Sequence, residues 1–175
     1  RPLEWGADFV IHSTSKYLSG GNNHGGGAVM IREPHFKWIL EKHHQQWGLC
    51  LSEPEIMVLS QNLEDFEERM ERFNRNGETV AHFLKNHPAV EKVFHGSLAK
   101  HEDVSRSWLS NYGSVVSFVL RPAKLEGLRS FYDHLPSPLL KAPTLGSNRT
   151  LVCPYALLAH YHEPPTFFEY HGIPR

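Results

Sequence analysis

Two periods divide this chain. Near the start, Phe9 to Ile11 is an apolar, β-branched run bounded by Asp8 and Ser13, which predicts a short buried strand. Ala28 to Ile31 predicts a second. From Leu59 the rhythm changes: Leu59, Leu63, Phe66, Met70, Phe73, Gly77, Val80 and Leu84 recur at alternating steps of four and three. That stripe predicts one helix of about nine turns, opened by the capping box Ser52-Glu53-Pro54-Glu55 and closed at Asn86-His87-Pro88. Glu64, Glu67, Glu68, Glu71 and Arg72 lie off the stripe and predict a solvated face or a subunit boundary. A helix of that length in a small chain connects two domains or packs between subunits, with a plain coiled coil as the alternative.

Beyond Pro88 the pieces are short. Val90 to Phe94 predicts a strand, followed by a polar loop to Asn111, a strand from Ser114 to Leu120, and a helix from Leu125 to His134. A Pro-rich turn then leads to a last strand, Thr150 to Cys153. Strand, strand, helix, strand makes a small α/β unit. The expected organisation is therefore residues 1–50 with the first two strands, residues 51–87 as a connecting helix, and residues 88–175 as a small α/β domain. No internal repeat interrupts it.

Composition narrows the partners. The 175 residues carry a formal net charge of -1, so nothing favours a nucleic acid or an anionic membrane electrostatically. No apolar run approaches the ~20 residues that span a bilayer, and no signal-peptide pattern precedes the first strand. Cys50 and Cys153 are far apart and match no metal spacing, as in a reduced, cytoplasmic protein. Among 13 histidines, the pairs His43-His44 and His160/His162 stand out. Adjacent histidines rarely share one ion, so no metal site is expected. Tyr112, Tyr155 and Tyr161 read as core or interface residues whose hydroxyls find partners. The chain opens on Arg1-Pro2 without a methionine and enters a strand almost at once, which reads as a segment of something longer.

The stretch VIHSTSKYLSGGNNHGGG, Val10 to Gly27, carries the chemistry. One lysine, Lys16, stands among small hydroxyl residues, between an apolar run and a glycine-rich loop. A nucleotide-phosphate loop would place the lysine after the glycines and before a helix; here the order is reversed. A structural surface lysine beside a flexible turn is the second reading. Against it, the apolar lead-in puts Lys16 at the carboxyl end of a core strand, where open α/β sheets place their ligand sites. The third is a lysine that condenses with an aldehyde, which needs an amine whose pKa is lowered by partial burial or a nearby positive charge. If the aldehyde is pyridoxal phosphate, Ser13 and Ser15 offer hydroxyls on one side of an extended segment without adding charge.

The segment GADFVIHSTSKYLSG resembles the lysine motif of the Cys/Met-metabolism family of pyridoxal-phosphate enzymes. The likeness extends through RPLEWGAD before it and NLEDFEERMERFNRNGETVAHFLKNHPAVEKVF after it. NYGSVVSFVL and PTLGSNRTLVCPYALLAHY are similar to the fungal type of cystathionine γ-synthases more than to the lyases. The resemblance implies an α/β fold: a fragment of the PLP-dependent transferase fold type I, comprising the end of the large cofactor domain and a small C-terminal α/β domain. It implies pyridoxal 5'-phosphate as cofactor, with Lys16 as its covalent anchor and proton carrier, and Ser13 and Ser15 on its phosphate. Thr144 matches a serine that orients the substrate carboxylate. Gly21 stands where the family usually has histidine, and Asn22 to Gly27 also differ in detail.

In the family, an aspartate for the pyridine nitrogen, a stacking aromatic ring and further phosphate ligands from a neighbouring subunit lie upstream of Arg1. The substrate-carboxylate arginine lies beyond the end, so Arg175 is not expected to be it. The implied reaction is γ-replacement on an activated homoserine ester by cysteine, in a cytoplasmic homotetramer of paired dimers acting on small amino acids. Alternatives are a β- or γ-lyase, an O-acylhomoserine sulfhydrylase, or a non-catalytic fragment that never assembles a site.

Overall fold

The computed structural model describes residues 1–99, 107–121 and 124–170. The chain divides into two compact units, one of Arg1–Phe66 with Gly146–Asn148, the other of Glu67–Leu145 with the chain from Arg149 onward.

In the first unit β1 (Phe9–Ser13) pairs antiparallel with β2 (Gly27–Ile31), Phe9 opposite Ile31 and Ser13 opposite Gly27. An Asp8–Arg32 ion pair closes the far end of the ladder. Both strands fall where the apolar runs predict them, but they are not buried. Ile11 is 79% exposed, and Phe9, Val29 and Met30 are exposed as well. Strand apolarity records which side chains favour burial, and in this sheet no third strand joins the pair among the described residues.

α1 (Lys37–Gln46) follows a 3-10 turn, Pro34–Phe36, and has no counterpart in the sequence expectations. Its signals are Pro34 at the start and Gly48 at the end. Gly48 adopts φ 63, while the Leu49 N–H donates to the His44 carbonyl at 3.0 Å.

The predicted nine-turn helix is two helices. α2 (Glu53–Leu63) runs 11 residues and α3 (Phe66–Lys85) runs 20, with a turn at Glu64–Asp65 between them. The three-and-four spacing is the same on both sides of the turn, so the apolar pattern cannot register the break. The capping box is present. The Ser52 N–H and hydroxyl donate to Glu55 Oε2 at 2.7 and 2.6 Å, and these bonds hold the Glu55 carboxyl below its ordinary pKa.

The second unit is built on α3, whose buried line is Arg69, Phe73, Gly77 and Ala81. Val80, which the stripe assigned to the interior, is 44% exposed. Gly77 has no side chain because the backbone of Gly113 and Ser114 occupies the space a Cβ would need. The Gly113 N–H donates to Asn74 Oδ1 at 3.0 Å, fixing that approach.

β3 (Val90–Phe94) pairs antiparallel with β4 (Ser117–Leu120), with a register irregularity between Val90 and Lys92. α4 (Leu125–Asp133) packs against this pair through Phe131, perpendicular to Phe118 at 5.9 Å. β5 (Leu140–Lys141) and β6 (Leu151–Val152) form a short parallel pair, and α5 (Tyr155–His160) and α6 (Pro165–Tyr170) follow. β4 and β6 are thus shorter than the strands expected over Ser114 to Leu120 and Thr150 to Cys153. Part of the polar loop before Asn111, and Arg175, lie outside the described residues.

The tyrosines depart from the expectation of core positions with partnered hydroxyls. Tyr112 has a buried hydroxyl with no hydrogen-bond partner, and Tyr155 and Tyr161 are 70% and 78% exposed. The ring of Tyr112 is wedged over Gly96, so contact of the ring rather than its hydroxyl sets its position.

Candidate active site

At Ser13 the chain leaves β1 still extended (φ -73, ψ 125) and enters a tight helical turn, Thr14–Leu18. Lys16 sits inside that turn with φ -103 and ψ -118, away from helical values. Hydrogen bonds from several directions hold it. The Thr14 N–H donates to the Gly26 carbonyl at 3.0 Å, and the Gly20 N–H donates to the Lys16 carbonyl at 3.0 Å. Asn22 takes the left-handed conformation (φ 53), which asparagine tolerates better than most residues, and its amide donates to the Ser15 carbonyl at 2.9 Å. The Asn23 side-chain oxygen accepts from the Ser19 hydroxyl at 2.9 Å and from the Asn62 amide at 3.3 Å.

The turn gathers three of the residues expected to carry chemistry. Ser13 Oγ and Ser15 Oγ are 2.7 Å apart, one hydroxyl donating to the other, and Lys16 Nζ donates to Ser13 Oγ at 3.4 Å. All three side chains are partly buried. Ser13 and Ser15 meet because the chain coils immediately after the strand, not because both lie on one extended segment. Hydroxyls can rotate, so the pair can turn its O–H groups toward an incoming anion while the amine stays beside them. Thr144 is exposed, in the segment after β5, and belongs to the second unit. Gly21, the departure from the expected motif, is exposed.

Sequence reasoning missed the polar interior beneath the lysine. Thr14 is 1% exposed, Ser19 2% and His24 7%. Thr14 Oγ1 and His24 Nε2 are buried without hydrogen-bond partners, and both lie against Gly26. A Cβ at Gly26 would stand 2.9 Å from Thr14 Oγ1 and 3.5 Å from His24 Nε2, at φ +136, so glycine is required there. The run of three glycines was the available signal; which one mattered was not readable.

Elsewhere, burial pushes the Cys153 thiol pKa upward. Among the described residues no helix is long and apolar enough to cross a membrane, and no three His, Cys, Asp or Glu side chains are grouped to hold a metal.

Comparison with known proteins identifies the motif. A cystathionine γ-synthase from Neurospora crassa is 34% identical over 175 residues, covering 97% of this chain and 27% of that protein. An L-methionine γ-lyase from Fusobacterium nucleatum is 31% identical, covering 91% of this chain and 41% of its own length. Among solved structures, cystathionine γ-synthase from Xanthomonas oryzae pv. oryzae, in complex with aminoacrylate and cysteine, superposes with a TM-score of 0.87 at 28% identity. That match covers 98% of this chain and 44% of the other. The chain therefore spans between about a quarter and somewhat under half of these relatives. Its mixed α/β fold is that of a piece of the PLP-dependent transferase fold type I. The pattern of one family covers residues 1–173, the lysine turn included, and the chain belongs to the Cys/Met metabolism PLP-dependent enzymes.

Proposed function

We propose that the protein carrying this chain catalyses γ-replacement on an activated homoserine ester, joining the cysteine sulfur to the four-carbon unit to give cystathionine. The observation that carries the reading is the cluster of Lys16 with Ser13 and Ser15, a primary amine with two hydroxyls within hydrogen-bonding reach. Such a donor set fits a small anionic aldehyde: an amine for the carbonyl carbon and rotatable O–H groups for the phosphate.

The family's cofactor, pyridoxal 5'-phosphate, supplies an electron sink for carbanions at the substrate Cα and Cβ. The chain's own residues do the rest. Ser13 and Ser15 donate to the phosphate and fix where the aldehyde lies. Lys16 Nζ would hold the cofactor and take protons from the substrate Cα and Cβ. The Cγ–O bond breaks and the acyl (or phosphoryl) group leaves as its anion, the cysteine sulfur bonds Cγ as it loses its proton, and Lys16 would return protons to Cβ and Cα. Thr144 orients the substrate carboxylate through its hydroxyl. In this reading the assembled enzyme is a cytoplasmic homotetramer of paired dimers.

The relatives include both a synthase and a lyase, so the test is substrate choice in the whole protein. Acetyl-, succinyl- and phospho-homoserine are offered with cysteine and separately with sulfide, and cystathionine and methionine are offered alone. Cystathionine formed from one ester and cysteine is the expected result. Cleavage of cystathionine or methionine with no ester-dependent synthesis assigns a lyase instead. Homocysteine formed from an ester and sulfide, but no cystathionine from cysteine, assigns a sulfhydrylase.

A further inference from the structure

We propose that Gly146 is a positioning residue for Lys16: its bare α-carbon is the seat on which the Lys16–Tyr17 peptide rests, and that contact sets where the lysine amine points. The proposal rests on the reading of Lys16 as the cofactor-binding amine.

Gly146 is buried, with φ +81, and the short segment Gly146–Asn148 belongs to the first unit although its neighbours Leu145 and Arg149 belong to the second. A Cβ at position 146 would stand 2.6 Å from the Lys16 carbonyl carbon and 2.9 Å from the Tyr17 α-carbon, and would press on the Tyr17 nitrogen. These are backbone atoms, which cannot swing aside as the end of a side chain can. The segment is also tied down. The Asn148 N–H donates to the Gly20 carbonyl at 2.7 Å, and the Gly20 N–H donates to the Lys16 carbonyl at 3.0 Å. One hydrogen-bonded path therefore runs from the segment through Gly20 to the lysine, and one direct contact runs from Gly146 to the lysine's own peptide.

The consequence is one of leverage. The lysine amine lies at the end of a four-carbon stem, so a rotation of about 10° in the Lys16 backbone moves it by about 1 Å. Misplacement of a reacting group on that scale can cost about 100-fold in rate. A methyl group at position 146 must move the Lys16–Tyr17 peptide, and the amine with it.

The experiment uses the whole protein with Gly146→Ala and two comparison variants. Gly113→Ala imposes the same left-handed strain (φ +79) with nothing within 4 Å of the added carbon, and Gly25→Ala adds a carbon in open space. The first readout is the rate at which pyridoxal phosphate is trapped on Lys16 by borohydride. The amine adds to the aldehyde carbon, water leaves, hydride reduces the C=N bond to a secondary amine, and peptide mapping locates it. The second is the visible-region circular dichroism of the bound cofactor, and the third is thermal unfolding.

Gly146→Ala is expected to slow trapping at Lys16 at least about tenfold and to change the dichroism of the cofactor, in a protein that still unfolds cooperatively. Gly113→Ala should lower Tm yet trap at the wild-type rate, and Gly25→Ala should match wild type throughout. Trapping by Gly146→Ala at the rate of Gly113→Ala, or a Gly146→Ala protein that does not fold, would show that the glycine serves chain conformation or packing alone, and overturns the proposal. A wild-type adduct on any other lysine overturns the assignment of Lys16 itself, and the proposal with it.

Discussion

Thr14 and Phe73 are buried to similar degrees, 1% and 8% exposed, one in each unit, and for opposite reasons. Thr14 lies beneath the lysine turn with Ser19 and His24, in an interior of small polar groups organised by backbone and asparagine hydrogen bonds. Phe73 lies on α3, and the buried apolar residues of the described chain, Phe73, Ala81, Val90 and Phe168, all fall in the second unit. Both units expose large apolar groups, Ile11, Trp38 and Trp47 in the first and Phe83, Trp108 and Tyr161 in the second, so the difference lies in what each one buries. Apolar burial stabilises in proportion to area and tolerates small shifts, whereas hydrogen bonds in a polar interior fix directions. Under the proposed role of Lys16, contacts of the second kind suit a unit that aims one amine.

The largest expected effect tests what the first unit is for. Under the proposed role of Lys16, Lys16→Ala in the whole protein should abolish the borohydride-trapped adduct and lower turnover by at least about 100-fold, because it would remove the cofactor's anchor and the proton carrier together. Far-UV circular dichroism should be unchanged, since a partly buried turn side chain holds little of the fold. Retained turnover would remove the functional meaning of the polar interior.

Phe73→Ala is the complementary cut. It should cost about 3–5 kcal/mol by leaving a cavity in the second unit, read as a lowered unfolding midpoint. Folded protein should still be trapped at Lys16 at the wild-type rate. A loss of trapping equal to the loss of stability would show that the two interiors do not act separately.

Thr144→Val asks whether the second unit contributes chemistry as well as a core. Removing the hydroxyl at nearly constant volume should lower kcat/KM by about 5- to 30-fold while cofactor affinity is unchanged. An unchanged kcat/KM would return Thr144 to an ordinary exposed residue.

The smallest effect concerns the start of α2 in the first unit. Glu55 is held below its ordinary pKa chiefly by the Ser52 hydroxyl and then by the Ser52 N–H. A carboxyl lowered on folding contributes stability that is fully present above the unfolded value and is lost as pH falls through the lower, folded value. Protection of the amides in the first turn of α2, taken relative to their intrinsic exchange rate at each pH, should therefore fall as the pH drops through that range. Glu55→Gln should flatten the dependence; an unchanged pH profile in that variant would assign it to another group.

Much of this was readable in the residues. The lysine motif is local in sequence, and its hydroxyls meet within a few residues of chain, so Ser13, Ser15 and Lys16 could be named together. The capping box is likewise a three-residue device. What could not be read depends on residues far apart in the chain. The turn at Glu64–Asp65 keeps the apolar stripe in step and leaves no mark on it. The exposure of Ile11 depends on what covers the sheet, which the strand's own residues do not state. Tyr112 shows the same limit, its hydroxyl buried without the partner its chemistry favours.

Sequence by itself determined the family, the lysine motif and the order of most elements, because motif spacing and hydrophobic period are properties of neighbours. Only the tertiary structure decided which glycines are obligatory, which polar groups form the interior beneath the lysine, and that residues 146–148 return to the lysine turn. Gly146 and Lys16 are 130 positions apart, and nothing in either neighbourhood announces the other. Their contact exists because folding lays one backbone against another at a distance that excludes a single carbon atom, and such exclusion is a property of three-dimensional packing alone.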